Sequence, residues 1–481
     1  MSALVFFRLI FVVLAVVGIS LLLPLFVALG LGEKQMILPF LLPMIFSVGL
    51  GLLFFFFGKK RSIKFSVRSV YAFVALTWIL ISFFGSIPLV ASGFFPTFSD
   101  ALFESVSGFS TTGATVLKSV EILPRSLNLW RCEMHWLGGM GVIALTVALL
   151  PLLGVDGFQL IKAESTGPEK GKITPKMANT AEVLWFLYFS LTVIHAILLK
   201  IFGMDWLDSI SHAFSTMGTG GFSTRDASIA YYNSPAIEWV CTIFMFLSGV
   251  NFSLYFYLLS RRFDEVRRNS ELKAYCLIFF STTILITILL IAPCDGFFPA
   301  LRIAAFQVAS VITSTGYSTA DYQLWHTAAQ FLLFALFFTG ASSGSTSGGF
   351  KIVRWCVLAK HAKNEMLRML HPHGVFSLRL DGRSGRKELV SNVASFAFVY
   401  VLFVFVTAFF GTLARLDLFS AFATALSMVG NVGLSFGELG PGASFGFLPS
   451  ALKFWYSFAM IAGRLELYNL LIFFLFEYWR R

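Results

Sequence analysis

FESVSGFSTTGAT (103–115), SHAFSTMGTGGFST (211–224), FQVASVITSTGYST (306–319) and ATALSMVGNVGLSF (423–436) are four versions of one phrase. Aligned on Gly113, Gly221, Gly316 and Gly433, they put a side-chain oxygen two positions earlier every time, on Thr111, Thr219, Ser314 and Asn431. Asp100 and Asp208 each lie 13 residues before their glycine, Pro96 and Pro299 each lie 17 before, and Phe103 and Phe306 each lie 10 before. A single Gly/Ser/Thr stretch reads as an ordinary turn. Four at matched offsets, 108, 95 and 117 residues apart, are an internal repeat.

Working outward, each phrase sits between apolar runs. Candidate spans are 4–31, 37–58, 69–92, 135–154, 181–203, 236–260, 274–293, 327–362, 390–414 and 450–478, since a span needs about 20 apolar residues. The 481 residues are 57% hydrophobic and 13% charged, and mean hydropathy is +0.80. No soluble fold of this size hides that much apolar surface. The composition excludes a secreted domain, a disordered chain and a nucleic-acid binder. The net charge of +11 is spread over short loops rather than one basic face. Loops 59–68, 261–273 and 360–387 carry that charge, and the chain ends Arg480-Arg481. The positive-inside rule makes them cytoplasmic, with both termini inside. The two larger loops, 261–273 and 360–387, are the candidate docking surfaces for a cytosolic partner.

The four polar connections, 93–134, 204–235, 294–326 and 415–449, then open on the outer side. Each holds an apolar segment of about ten residues, too short to span, which predicts a re-entrant half-helix starting near Asp or Pro. Its C-terminal end brings partial negative charge to mid-membrane and favours a cation. The glycine permits backbone conformations closed to other residues, so successive carbonyls can face one axis. Rings of such carbonyls replace the hydration shell of a potassium ion. The expected filter is Thr111, Thr112, Gly113, Thr219, Gly220, Gly221, Ser314, Thr315, Gly316, Asn431, Val432 and Gly433, with no charged side chain among them. The fold class is therefore an all-α membrane protein. Two N-terminal helices (1–58) precede four span–half-helix–loop–span units at 59–154, 155–260, 261–365 and 366–481 around one pore.

These loops, with WLGGMG at 136–141 and GRLELY at 463–468, resemble the Trk/Ktr/HKT superfamily of potassium transporters over essentially the whole chain. The two extra N-terminal spans make the likeness one to the longer TrkH/TrkG branch rather than the KtrB branch. The resemblance implies the ion-conducting subunit of a bacterial uptake system. It would be a homodimer in the inner membrane, among membrane lipids, with one pore per subunit. A cytosolic TrkA-type nucleotide-binding ring would regulate it. No cofactor is implied beyond potassium ions in the filter. Some sodium-favouring plant relatives carry Ser at the first filter glycine; all four positions here are Gly, which favours potassium. Sodium- or proton-coupled symport is the alternative.

Residues 340–349, GASSGSTSGG, interrupt a run with five Ser or Thr and four Gly. Close helix packing through small residues would explain Gly and Ala. The hydroxyls and flexibility favour an unwound intramembrane loop, and the family has a gate below the filter here. The expected gate is Gly344, Ser345, Thr346, Ser347, Gly348 and Gly349 with Arg464, an intramembrane cation that would project into the ion path. Pairing of Arg464 with Glu466 or Glu104 is the other reading. Gly138, Gly139 and Gly141 would let helices approach closely, and Asn251 and Asn469 would bond between helices. His135, His195 and His212 are scattered and receive no role. His371 and His373, flanking Pro372 in a basic loop, are where a metal would sit if the chain held one. The five cysteines have no CxxC spacing and read as core residues. An intramembrane enzyme would need a nucleophile–base pair or a carboxylate cluster; no HExxH occurs and the intramembrane acids are isolated, so the chain reads as no enzyme.

Overall fold

The computed structural model describes residues 3–56, 67–141, 177–374, 376–381, 383–384 and 387–480. The latter part of the expected span 135–154 and most of the basic loop 59–68 lie outside them. The described chain is helical apart from a hairpin of two-residue strands, Arg379–Leu380 and Arg383–Ser384.

Four times the chain runs through a long helix, a short helix, a polar loop and a return helix. The long helices are Val67–Ala91, Met177–Ile201, Ser270–Leu290 and Lys387–Leu413. The short helices are Phe98–Phe109, Trp206–Gly218, Phe297–Ile312 and Leu418–Gly430, of 12, 13, 16 and 13 residues. The return helices start at Arg125, Pro235, Thr327 and Ser450. The long helices turn large apolar side chains outward, among them Phe83, Phe186, Leu277 and Phe405. The short helices bury nearly every side chain of their C-terminal halves. That division suits a lipid-facing shell around a protein-lined centre. Six described helices are long and apolar enough to cross a membrane, and two bent pairs raise this to eight.

The short helices start as helix chemistry requires, though not always on the expected residue. Thr97 caps the first, its side chain accepting from Asp100 N–H, and Asp417 caps the fourth by accepting from Phe419 and Ser420 N–H. Asp205 and Gly296 hold the N-cap positions of the other two, with Asp208 and Pro299 in the first turns.

The return helices depart from expectation. Two were expected to run unbroken over 236–260 and 450–478. Instead Pro235–Ser248 meets Phe252–Leu259 at 91°, and Ser450–Arg464 meets Tyr468–Phe474 at 115°. The third stops at Leu336 and the chain becomes helical again at Ile352. The first begins ten residues before the expected span, at Arg125, and ends at Gly139. Gly249–Asn251, the 337–351 stretch and the Arg464–Leu467 turn are therefore one kind of feature, met three times.

The two N-terminal helical segments, Ala3–Leu31 with a turn at Leu21 and Lys34–Phe56, pack on each other and on Val67–Ala91. Glu33 between them reaches the first return helix. Its carboxylate accepts from Arg125 N–H (2.9 Å), Ser126 N–H (3.2 Å) and the Ser126 hydroxyl. That supplies the negative charge a helix N-terminus favours and docks the extra helices on the unit beside them.

Candidate functional site

Thr111, Thr219, Ser314 and Asn431 lie at φ 55°, 54°, 53° and 54°. Gly113, Gly221, Gly316 and Gly433 lie at φ 82°, 82°, 84° and 81°. Four different sequences thus take one backbone path. The left-handed residue at each short-helix end satisfies the carbonyls that a terminus leaves open. The following N–H folds back over six residues. Thr112 N–H donates to Ser107 O, Gly220 to Ser215 O, Thr315 to Ser310 O and Val432 to Ser427 O, at 2.9, 2.9, 2.8 and 2.9 Å. A serine stands at all four acceptor positions. This identity was present in the four phrases and was not singled out there.

The glycines are needed for space as well as for φ. A Cβ on Gly113 would stand 1.9 Å from the carbonyl oxygen of Gly220. On Gly221 it would stand 2.1 Å from Thr315 O, on Gly316 2.4 Å from Val432 O, and on Gly433 2.0 Å from Thr112 O. Each loop therefore abuts the carbonyl of the next, and the fourth returns to the first. All twelve residues expected to form the filter take part in this closed set of four loops, and their side chains are neutral.

The helices close in the same order. Short helix one packs on return helix four, short helix two on return helix one, and short helix three on return helix two. Short helix four meets return helix three through Phe334–Phe419, whose ring centroids are 5.5 Å apart. At the outer end Lys453 of the fourth unit donates to Asp100 of the first (2.6 Å), both buried. Asp208, the matching acid of the second unit, pairs with Arg225 at 2.9 Å. Exposed Asp205 accepts from Arg125, and that guanidinium holds its carboxyl below the usual carboxylate range. A polar cavity of about 130 Å³ opens above the four loops, lined by all four glycines together with Arg131, Ser223, Ser318 and Asp226.

Beneath the loops lies the expected gate stretch. Its backbone donors are accounted for largely by local partners, as non-helical chain at membrane depth requires. Ser342 N–H donates to Gly249 O (3.0 Å), and Gly348 N–H to the Ser314 hydroxyl (2.7 Å). Glu271 accepts from Ser343 N–H and Oγ, each at 2.7 Å, and from Val353 N–H at 3.1 Å, so one carboxylate ties the stretch to the helix that follows it. Buried Lys351 donates to Ser347 O. Arg464 donates to Thr346 O (2.6 Å), Gly138 O (2.6 Å) and Gly139 O (2.8 Å). It ties the stretch to the first return helix. Of the acids considered as its partners, Glu466 accepts from Arg354 (2.7 Å) and Glu104 is held by Arg131 (2.6 Å). Gly340-Ala341-Ser342-Ser343-Gly344 has the spacing of a nucleophile elbow, but among the described residues no base stands within hydrogen-bond reach of the buried Ser342 Oγ.

Several expectations are corrected. Asn251 caps the helix after the 91° bend, its Oδ1 accepting from Ser253 N–H (2.9 Å), and lies against Gly344. The residue after it, Phe252, donates its N–H to Gly344 O at 3.0 Å, so the bend is also bonded to another span. His135 and His212, given no role, back the second loop. The His135 ring lies against Gly220 and stacks on Phe222, with Nδ1 3.0 Å from Ser215 Oγ. Exposed His371 and His373 belong to no metal-ligand cluster among the described residues. Gly138 and Gly139 do allow close approach, a Cβ on them falling 1.9 Å from Phe109 O and 2.6 Å from Gly218 Cα. The cysteines are unpaired.

Comparison with known proteins follows the same outline. The family described as TrkH, cation transport protein, matches residues 39–295 and 299–479. The TrkH potassium uptake protein of the Trk system of Halomonas elongata is 37% identical over 442 residues, 90% of this chain and 91% of its own length. The TrkG potassium uptake protein of the Trk system of Escherichia coli K12 is 37% identical over 473 residues, 96% of each chain. The crystal structure of the potassium transporter TrkH from Vibrio parahaemolyticus superposes with a TM-score of 0.87 at 31% identity, covering 100% of both chains.

Proposed function

The chain belongs to the TrkH family of cation transport proteins, and from that premise we propose that it is the potassium-conducting subunit of a bacterial Trk-type uptake system. The observation that carries the reading is the closed set of four loops with one shared backbone path. Potassium passes through Thr111–Gly113, Thr219–Gly221, Ser314–Gly316 and Asn431–Gly433. Backbone carbonyls there take the place of water, and the short-helix C-termini favour the cation electrostatically. The four units are 59–154, 155–260, 261–365 and 366–481, with 1–58 as an added helical pair. No chemistry is performed on the ion; the family is one of transport proteins.

Residues 344–349 with Arg464 form the gate. What supports this is their place under the loops, Gly348 bonded to Ser314 and Arg464 bonded to Thr346. The protein works as a homodimer among inner-membrane lipids, with both termini cytoplasmic. A TrkA-type nucleotide-binding ring docks on the basic inner loops. The relatives' names, which place them in a Trk system, support a partner.

Purified chain in liposomes tests the reading. Under a potassium gradient alone, potassium flux should exceed sodium flux. Flux that stalls until sodium or protons are supplied on the same side would turn the protein into a symporter. Equal potassium and sodium flux would remove the filter.

A further inference from the structure

Nine residues before each loop glycine the short helices carry Glu104, His212, Gln307 and Thr424. Two residues after it the loops carry Thr115, Ser223, Ser318 and Ser435. In all four units these two positions meet. The Thr115 hydroxyl donates to the Glu104 carboxylate, 2.9 and 3.1 Å from its two oxygens. His212 Nδ1–H donates to the Asp208 carbonyl at 2.8 Å, which leaves Nε2 to accept from the Ser223 hydroxyl at 2.9 Å. Gln307, its amide oxygen turned to the loop, accepts from Thr319 N–H at 2.9 Å and lies 3.5 Å from Ser318 Oγ. The Thr424 and Ser435 hydroxyls are 3.0 Å apart. The helix-side residues share no charge, size or shape; they share a polar atom at one place.

Resting on the reading of the four loops as an ion filter, we propose that these side-chain pairs are its positioning residues. Each ties the outer end of a loop to the middle of its own short helix, and so sets how far the loop carbonyls stand from the axis. In loops two and three the carbonyl after the glycine has a side-chain donor of its own, Tyr317 Oη to Phe222 O (3.5 Å) and Ser310 Oγ to Tyr317 O (2.6 Å). Between the left-handed residue and the hydroxyl the loop runs three residues that belong to no helix or strand, so a tether at the far end fixes the segment at both ends.

The four tethers are unequal. Loop one is held by a buried carboxylate that also accepts from Val116 N–H (3.0 Å) and is held in turn by Arg131. Arg131 Nη1 reaches Ser223 O at 3.4 Å, and its guanidinium lies 4.2 Å over the Phe222 ring, joining loop one to loop two. At loop four the pair is two hydroxyls without a charge, helped by Tyr322 Oη, which donates to the Ser435 carbonyl. Loosening loop one should therefore disturb selectivity more than loosening loop four.

Thr115→Val removes the hydroxyl at nearly constant shape, and Thr115→Ser keeps it. The readout is the potassium-to-sodium permeability ratio in proteoliposomes, which a merely structural contact would leave unmoved in correctly inserted protein. Thr115→Val should lower the ratio about two- to tenfold, the factor that one buried hydrogen bond carries. Thr115→Ser should keep the wild-type ratio, and Ser435→Ala should lower it less. Gly113→Ser is run beside them. If Gly113→Ser lowers the ratio while Thr115→Val and Ser435→Ala do not, the tethers are passive packing and the proposal falls alone. If none of the three moves the ratio, the filter reading itself falls. Should Thr115→Val not insert, Ser435→Ala decides by the same criterion.

Discussion

The four loops and the four return helices behind them are copies in the same sense, yet they have kept different things. The loops hold one backbone path to within a few degrees while their residues vary: Thr-Thr-Gly, Thr-Gly-Gly, Ser-Thr-Gly and Asn-Val-Gly. The return helices end or break at comparable places, but by different means: a stop at Gly139, a 91° bend, a 15-residue unwinding and a 115° bend. In the upper layer the four units share one backbone path. In the lower layer one stretch, 340–349, is bonded to the ends of the other three helices: Ser342 N–H donates to Gly249 O, and Arg464 joins Thr346 to Gly138 and Gly139. Selectivity needs equivalence around an axis; a gate needs one element able to move against the rest.

This contrast can be broken first where the upper layer is most heavily tied. Arg131→Leu leaves Glu104 charged and buried without its cation, which costs about 3–5 kcal/mol. Thermal unfolding in detergent should show it, and Glu104→Leu added to Arg131→Leu should recover part of the loss. Recovery of nothing would mean that the pair is not the main tie.

A smaller effect is expected from the glycines, and it tests equivalence directly. Gly113→Ser and Gly316→Ser each force a Cβ against a neighbouring carbonyl at positive φ. Each should cost about 1–3 kcal/mol in the loop. The potassium-to-sodium ratio should drop by about tenfold in both, the factor that a 1.4 kcal/mol change carries. A large fall in one variant with a normal ratio in the other would show the upper layer to be as unequal as the lower.

On the gate side, Arg464→Ala removes the cation that bonds Thr346, Gly138 and Gly139 together. Basal potassium flux without any partner should rise severalfold while the ion ratio stays fixed. A changed ratio would move Arg464 into the filter. Least is expected from Glu271→Gln, which keeps the shape of the side chain but exchanges charge-assisted hydrogen bonds for neutral ones, a loss of about 1 kcal/mol. Basal flux should rise by about fivefold at most. Flux at the wild-type level would leave Glu271 a structural cap on the helix at Ile352.

How far the molecule was legible from sequence follows the same division. The loops could be read because a fourfold repeat carries its own control: position −2 means little in one loop and much in four. The serines at −6 were equally legible and simply went unremarked. The −9 residues were not, because Glu, His, Gln and Thr are alike only in where a polar atom ends up. The bends at Gly249–Asn251 and Arg464–Leu467 were invisible because three or four residues hardly change the hydropathy of a long run. The break at 340–349 showed because ten small residues do. The first return helix was placed late because RSLNLWRCEMHW (125–136) is too polar for a lipid-facing span. Yet Asn128, Arg131, Glu133 and His135 are all buried, facing protein rather than lipid.

That the four quadrants belong to one polypeptide has a consequence for heredity. In a ring assembled from four copies of a gene product, any change is made four times at once, and a residue that suits one quadrant but harms another cannot be kept. Here Glu104, His212, Gln307 and Thr424 stand in equivalent places with four different chemistries, and each can drift or be selected alone. A single nucleotide change alters a quarter of the ring, so the four loops can be altered one at a time.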